Sequence, residues 1–347
     1  MTAERELIAG IRARARRFGP GVRLGIGDDC AVLAPRAGHE LVVTTDMLLE
    51  GRHFRREWHT PESVGHRCLA RGLSDIAAMG ARPVAAFLSI AIPAEMAEPG
   101  GKGGGREQSW MERFMDGLLT LAAAHRVTLA GGDSAESPCG MLADIVVMGE
   151  APRGKALLRS GARAGDWIYV TGALGGAAAE LERLERSSRW GAAMRKLTRA
   201  ADATHPHFFP QPRIAAGLAL QRRGLATAAI DVSDGLSTDL DHLCEESQLR
   251  AEVDAAAVPV HALAMEAERR RWTESALGLA LNGGEDYELL FTARPGARVP
   301  KTMGGVAVRA VGRMLPANAR KPRMGLRHAD GRVEPLTARG WEHFRRE

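Results

Sequence analysis

Apolar positions recur at helical spacing in Leu7, Ile8, Ile11 and Ala15, on an arginine-rich background, until Phe18-Gly-Pro-Gly21 breaks the period. That pattern predicts a capping or surface helix over 3–18. Short β-type runs follow, each closed by polar residues: Val22 to Ile26 before Asp28-Asp29, Leu41 to Val43 before Thr44-Thr45-Asp46, and Val127 to Ala130 before Gly131-Gly132-Asp133. Between the last two runs the periodicity predicts a helix over 62–79, a strand over 84–92 and a helix over 109–124. After a strand over 145–148, the polar segment Glu150-Ala-Pro-Arg-Gly154 is the best place for a domain boundary, which divides the chain into residues 1–150 and 151–347. The second half restarts with a strand, Trp167 to Thr171, and Gly172-Ala-Leu-Gly-Gly176 opens an alanine-rich helix; further strands are predicted over 227–232, 289–292 and 306–311. Strands and helices mix in both halves, so the fold class predicted is α/β (α+β).

Composition narrows the function classes. The 347 residues, 45% of them hydrophobic, are enough for two cores. No apolar run reaches the length of a membrane span, and Met1-Thr-Ala-Glu-Arg-Glu-Leu7 carries both signs of charge where a signal peptide needs an apolar stretch. A soluble, cytoplasmic protein without a membrane partner is expected. Four widely spaced cysteines, with no Cys-x-x-Cys pair, suit reduced thiols rather than a disulfide framework or a zinc site. The formal charge of +5 raises nucleic acid as a partner. Only five of the 47 basic residues are lysines, however, the arginines are spread along the chain, and the clusters Arg12 to Arg17 and Arg269 to Arg271 have no interleaved aromatics to stack bases. No nucleic-acid partner is expected. The glycine-dense stretch over 98–107 reads as a surface insertion.

The chemistry lies in the acids. Asp28, Asp29, Asp46, Asp133, Asp231 and Asp234 each end an apolar run, and in an α/β sheet the ends of strands converge on a rim where ligands sit. Any one of them alone reads as an Asx-turn or N-cap residue. As a converging set they need counter-charge, and oxygen donors without a His/Cys set point to Mg²⁺ with a nucleotide. Asp75 lies within about 20° of Val64 and Cys68 on its helix, so a carboxylate shares the apolar face and needs a partner, either a neighbour such as Arg71 or a metal. Gly149-Glu-Ala-Pro-Arg-Gly-Lys155 matches the start of a P-loop, but Ala156 stands where the Mg²⁺-binding hydroxyl belongs and Pro152 removes a backbone donor. A P-loop is therefore rejected.

Eight blocks, in order, resemble the thiamine-monophosphate kinase family: Gly25-Ile-Gly-Asp-Asp-Cys-Ala31, Thr44-Thr-Asp46 with Glu50-Gly-Arg-His-Phe54, Leu73-Ser-Asp-Ile-Ala-Ala-Met-Gly-Ala81, Gly131-Gly-Asp133, Leu158-Arg-Ser-Gly161, Ile230-Asp-Val-Ser-Asp-Gly-Leu236, Gly283-Gly-Glu-Asp-Tyr-Glu-Leu289 and Gly340-Trp-Glu-His-Phe344. The resemblance implies an N-terminal ATP- and Mg²⁺-binding domain whose strands form a barrel across a homodimer interface, and a C-terminal α/β domain completing the active site. Position by position, it implies that Asp29, Thr44, Thr45, Asp46, Asp75, Asp133, Asp231 and Asp234 bind several Mg²⁺ ions. Gly132, Asp133, Arg159 and Ser233 would hold ATP as co-substrate, and His53, Glu285 and Trp341 would contact thiamine monophosphate. Asp46, Asp75, Asp133 and Arg159 would carry in-line phosphoryl transfer, giving thiamine diphosphate and ADP.

Departures from the family pattern are Met115 where an aromatic residue often stands beside the adenine, Gly72 where Asn is usual, and the insertion at 98–107. Two alternatives remain at this stage: another ATP-using reaction of the same superfamily, or a non-catalytic nucleotide or thiamine-phosphate sensor. Selenide activation would expect a reactive N-terminal Cys or selenocysteine, and the dehydrating maturation reaction a C-terminal Cys. Cys30 sits inside the Asp-Asp block, and the chain ends in Phe344-Arg-Arg-Glu347.

Overall fold

Long amphipathic stretches become helices and β-type runs become strands in a computed structural model that describes residues 3–15, 19–27, 29–97, 108–187 and 204–341. The insertion at 98–107 and Asp28 lie outside the described residues. Two units result, parting at Gly154/Lys155, with Ala77–Ala81 grouped in the second.

The first unit holds α1 (Ala3–Arg14), β1 (Val22–Leu24), β2 (Val32–Leu33), β3 (His39–Leu49), α2 (Pro61–Ala78), β4 (Arg82–Ile92), α3 (Ala94–Ala97), α4 (Trp110–His125), β5 (Thr128–Glu136) and β6 (Leu142–Pro152). Its main sheet has the order β3-β6-β4-β5, antiparallel except for β4 with β5. Among the described residues the sheet is open, with β3 and β5 at its edges, and forms no closed barrel. Along β3 the exposed apolar residues Leu41, Val43 and Met47 alternate with half-buried Val42, Thr44 and Asp46, so this edge strand shows an apolar row to the outside. Ser109 and Glu112 close a capping box that starts α4, and Met115 is buried in that helix beside Phe114.

The second unit holds β7 (Trp167–Thr171), α5 (Gly176–Arg186), α6 (Ile214–Arg223), β8 (Ala228–Val232), α7 (Leu236–Glu246), β9 (Arg250–Asp254), α8 (Ala262–Arg269), α9 (Ala276–Asn282), β10 (Glu288–Ala293), β11 (Thr302–Met303), β12 (Val306–Leu315), β13 (Met324–Arg327) and β14 (Val333–Pro335). The sheet order is β14-β13-β9-β12-β7-β10-β8, with β11 on β12, and only β13 with β9 is parallel. Ile168, Val170, Ile230, Leu240, Leu290 and Val311 are among the residues of its buried core.

One expectation is corrected. The aspartates of β3 and β5 are not strand-end residues: Asp46 pairs with Ile145 and Asp133 with Ser89, both inside ladders, whereas Asp231 is the next-to-last residue of β8 and does lie at its strand end. Backbone pairing is indifferent to whether a side chain is polar, so a strand continues past its apolar run wherever a neighbour supplies the hydrogen bonds. The rejected P-loop segment finishes β6 against β3, and no helix follows Lys155 before β7. Among the described residues no helix is long and apolar enough to cross a membrane.

Candidate active site

Directly paired residues share one face of a sheet, so Thr44 and Asp46 lie on the same face as Val147 and Ile145. Helix α2 packs on that face so closely that a Cβ on Gly72 would stand 2.6 Å from Val147 Cγ2 and 3.6 Å from Ile145 Cγ2. Seated there, α2 brings two polar side chains to β3. Thr44 Oγ1 donates to Asp75 Oδ2 at 2.5 Å, and Arg71 donates from Nη2 and Nε to Asp46 Oδ1 at 2.6 and 2.9 Å. Arg71, offered by helical spacing as a structural partner for Asp75, thus reaches Asp46. Asp75 is half-buried on the side of α2 that also carries the fully buried Val64 and Cys68. Burial, then the Asp46 charge, push the Cys68 thiol far above its ordinary range, so it is inert at neutral pH.

The other face of the same sheet carries a second set. Thr45 Oγ1 donates to Asp144 Oδ1 at 2.7 Å. One row of register runs Met47, Asp144, Ser89, Asp133 across β3, β6, β4 and β5. The acids and hydroxyls expected in this unit are therefore divided: Thr44, Asp46 and Asp75 on the helix side, Thr45 and Asp133 on the other. Asp144 was missed by sequence reading; the available signal was an acid inside an otherwise apolar run, Leu142 to Met148.

Gly132 and Asp133 are exposed on β5, and Asp29 is exposed between β1 and β2. His53 is half-buried, and its Nδ1 accepts the Leu49 N–H at 2.9 Å, which places the ring proton of the neutral form on Nε2. The fully buried Arg67 donates to the His53 carbonyl at 2.8 Å and fixes this turn from beneath.

In the second unit the chemistry gathers where β8 turns into α7. Asp231 is buried within β8, and Ser233 and Asp234 follow it, half-buried. Asp239, on the first turn of α7, accepts the N–H groups of Ser233, Asp234 and Gly235 at 3.1 Å each and so shapes the turn. Burial first, then the charges of Asp231 and Asp234, raise the Asp239 carboxyl well above its ordinary value. Two remote segments close on the same turn: Glu285 N–H donates to the Ser233 carbonyl at 2.7 Å, and Trp341 N–H to the Asp234 carbonyl at 3.0 Å. Only glycine fits before Trp341, because a Cβ on Gly340 would lie 1.9 Å from the Asp234 oxygen. The Trp341 residue is 48% exposed.

Arg159 is not part of this gathering. Its exposed residue lies near the start of β8, where Leu158 O accepts the Ala229 N–H at 2.8 Å and Arg159 O accepts Ser247 Oγ at 3.1 Å. Along the strand this is roughly 13 Å from Ser233.

Among the described residues no three or more His, Cys, Asp or Glu side chains are close enough together to cage a metal. Mg²⁺ does not need such a cage; it takes one or two carboxylates with waters and substrate phosphates. The donors are oxygen atoms throughout, in pairs of acid and hydroxyl, and the charges of Asp231 and Asp234, which act on buried Asp239, are of the sign that a hard cation would offset. The residues fit Mg²⁺.

Comparison with known proteins gives a consistent assignment. Residues 27–151 match the family model for the AIR synthase related protein N-terminal domain, and residues 163–318 that for the C-terminal domain. The chain is 40% identical over 293 residues to the thiamine-monophosphate kinase of Escherichia coli, covering 83% of this chain and 82% of that one. The crystal structure of a thiamine-monophosphate kinase from Stenotrophomonas maltophilia is similar with a TM-score of 0.74 at 36% identity, covering 94% of this chain and 96% of that one. A structure of AaThiL complexed with AMPPCP and TMP is similar with a TM-score of 0.72 at 28% identity, covering 98% and 97%.

Proposed function

The chain belongs to the thiamine-monophosphate kinase family, and on that premise we propose that it transfers the γ-phosphoryl group of ATP to the phosphate of thiamine monophosphate, releasing thiamine diphosphate and ADP. The observation that carries this reading is the gathering of Asp231, Ser233, Asp234, Glu285 and Trp341 at one strand end. It puts carboxylates, a hydroxyl and an exposed indole together, which suits a nucleotide with its counter-ions and a cationic heteroaromatic.

The acceptor is an ionised phosphate, so a strong general base is not required. The barrier is the repulsion of two anions, and bound Mg²⁺ supplies the charge that offsets it. Asp29, Thr44, Thr45, Asp46, Asp75, Asp133, Asp231 and Asp234 are assigned to hold these ions. Thr44 donates its proton to Asp75, and Thr45 donates to Asp144, so both hydroxyl oxygens keep lone pairs for a cation. Gly132, Asp133, Arg159 and Ser233 are assigned to ATP, with Arg159 drawn to its phosphates. His53, with its proton on Nε2, can donate to a phosphate oxygen, while Glu285 and Trp341 receive the thiamine moiety. Asp46, Asp75, Asp133 and Arg159 carry the transfer.

The exposed row Leu41, Val43 and Met47 on edge strand β3 supports a homodimer in which this sheet continues into a barrel with its partner. We place the enzyme in the cytoplasm. The test is to incubate protein with ATP and MgCl₂, with and without thiamine monophosphate, and to separate the products. ADP formed only with thiamine monophosphate, matched by thiamine diphosphate, is expected. AMP formation, or ADP release indifferent to thiamine monophosphate, would reject the reading.

A further inference from the structure

Glu285 and Tyr287 both adopt left-handed backbone conformations, with φ of 67° and 50°, which residues with a Cβ rarely do. The residue between them explains how the loop is held. Asp286 is buried and turns its carboxylate into the start of α5, accepting the Gly175 N–H at 2.6 Å on Oδ2 and the Ala177 N–H at 3.2 Å on Oδ1. These are N–H groups at a helix start, where a carboxylate is favoured.

A second route runs from the same helix to the Glu285 side chain. Glu180 of α5, buried, accepts the His207 N–H at 2.9 Å on Oε2 and stands 2.5 Å from His205 Nδ1 through Oε1. His207, itself 3% exposed, puts Nδ1 3.2 Å from Glu285 Oε2. The Glu285 side chain keeps 22% of its surface exposed, so its carboxylate is braced on one side and reachable from the other.

We propose that Asp286 and His207 are positioning residues that fix, respectively, the backbone and the carboxylate of Glu285 for thiamine monophosphate. This rests on the reading that Glu285 contacts that substrate. A scaffold that served folding alone would have no reason to reach the partly exposed side chain as well as the backbone of the same residue.

The test is steady-state kinetics on Glu285→Ala, His207→Ala, His207→Asn, His207→Gln and Asp286→Asn, each with its melting temperature. Glu285→Ala should raise KM for thiamine monophosphate at least about tenfold and leave KM for ATP unchanged. His207→Ala should raise the same KM about tenfold with kcat little altered, because the 3.2 Å approach of Nδ1 that steadies the Glu285 carboxylate is removed. His207→Asn, whose amide nitrogen falls near the Nδ1 position, should stay within about threefold of the parent, whereas His207→Gln, which lacks a nitrogen there, should behave like His207→Ala. Asp286→Asn should move KM for thiamine monophosphate and not KM for ATP. In the Glu285→Ala background, His207→Ala should add nothing.

If Glu285→Ala leaves KM for thiamine monophosphate unchanged, the assignment of Glu285 itself is wrong. If Glu285→Ala raises it but the His207 and Asp286 variants do not, or if KM for both substrates rises together, the positioning proposal is overturned while that assignment stands. Should His207→Ala not fold, the contrast between His207→Asn and His207→Gln decides.

Discussion

Gly72→Ala isolates the seating of α2 on the sheet from the chemistry it serves. The added Cβ would lie 2.6 Å from Val147 Cγ2 and 3.3 Å from Val147 Cβ, against an ordinary carbon–carbon contact of about 3.5–4.0 Å. Relief requires α2 to lift by about 1 Å at that turn, or Val147 to leave its rotamer. Asp75 is one turn further along, about 4.5 Å up the helix axis, so a lift of that size takes the Thr44–Asp75 contact from 2.5 Å to roughly 3.5 Å, past the range of an O–H···O bond. Overpacking costs about 1–3 kcal/mol, and replacing a mid-helix glycine by alanine returns about 1 kcal/mol, so the net loss of stability is only about 0–2 kcal/mol. Activity should fall further than stability does: about tenfold or more in kcat/KM, with a higher Mg²⁺ concentration needed for half-maximal rate. The assay is kcat/KM across a Mg²⁺ series beside a thermal melt. Gly72→Ala with Val147→Ala should recover much of the rate, since the blocking methyl is gone, even though the buried valine is lost. A single variant within about twofold of the parent, or a double variant no better than the single, would refute the idea that this seating sets Asp75.

Other outcomes follow from the same geometry. Asp46→Ala and Asp75→Asn should each lower turnover by at least about a hundredfold in the product assay, because each removes an anionic donor assigned to Mg²⁺; loss of only a few-fold would sink the metal assignment. Glu150 is buried against Arg82, 2.6 Å away, and Arg36; burial alone would raise its carboxyl, but the Arg36 N–H and the two guanidiniums hold it below the ordinary value. Its contribution is therefore present above the unfolded carboxylate pKa and lost as pH falls through the lower folded value. Glu150→Gln should cost about 1–3 kcal/mol in urea unfolding at pH 7, with the gap to the parent closing in acid; a gap that stays constant with pH would contradict this. Val43→Glu places a charge in the exposed row of β3 and should shift the protein to monomer in sedimentation; a parent that is already monomeric would end the dimer proposal.

The sequence disclosed the helices best. Residues 61–78 and 110–125 are long enough for the 3.6-residue period to be unambiguous, and the angular position of Asp75 beside Val64 and Cys68 was enough to foresee a half-buried carboxylate. Strand extents were less legible. The apolar run of β3 covers three residues while the strand runs from His39 to Leu49, because its partner β6 supplies bonds along the full length. Which face of the sheet a donor takes was not legible either. Thr45 meets Asp144 across 99 positions of sequence, and only the register of β6 puts them together. The same holds for His207 beside Glu285, and for Asp239, whose side chain builds the turn that the motif Asp231-Val-Ser-Asp234 occupies. Motif order identified the assigned residues; their division between two faces and two units depends on long-range pairing that no local pattern encodes.

The most direct test of the central claim is a single-turnover reaction with ATP labelled in its γ-phosphoryl group, enzyme in excess and thiamine monophosphate present. Direct transfer predicts that the label appears in the terminal phosphate of thiamine diphosphate, in step with ADP and without passing through the protein. Label in inorganic phosphate or on the protein, or AMP in place of ADP, would contradict it.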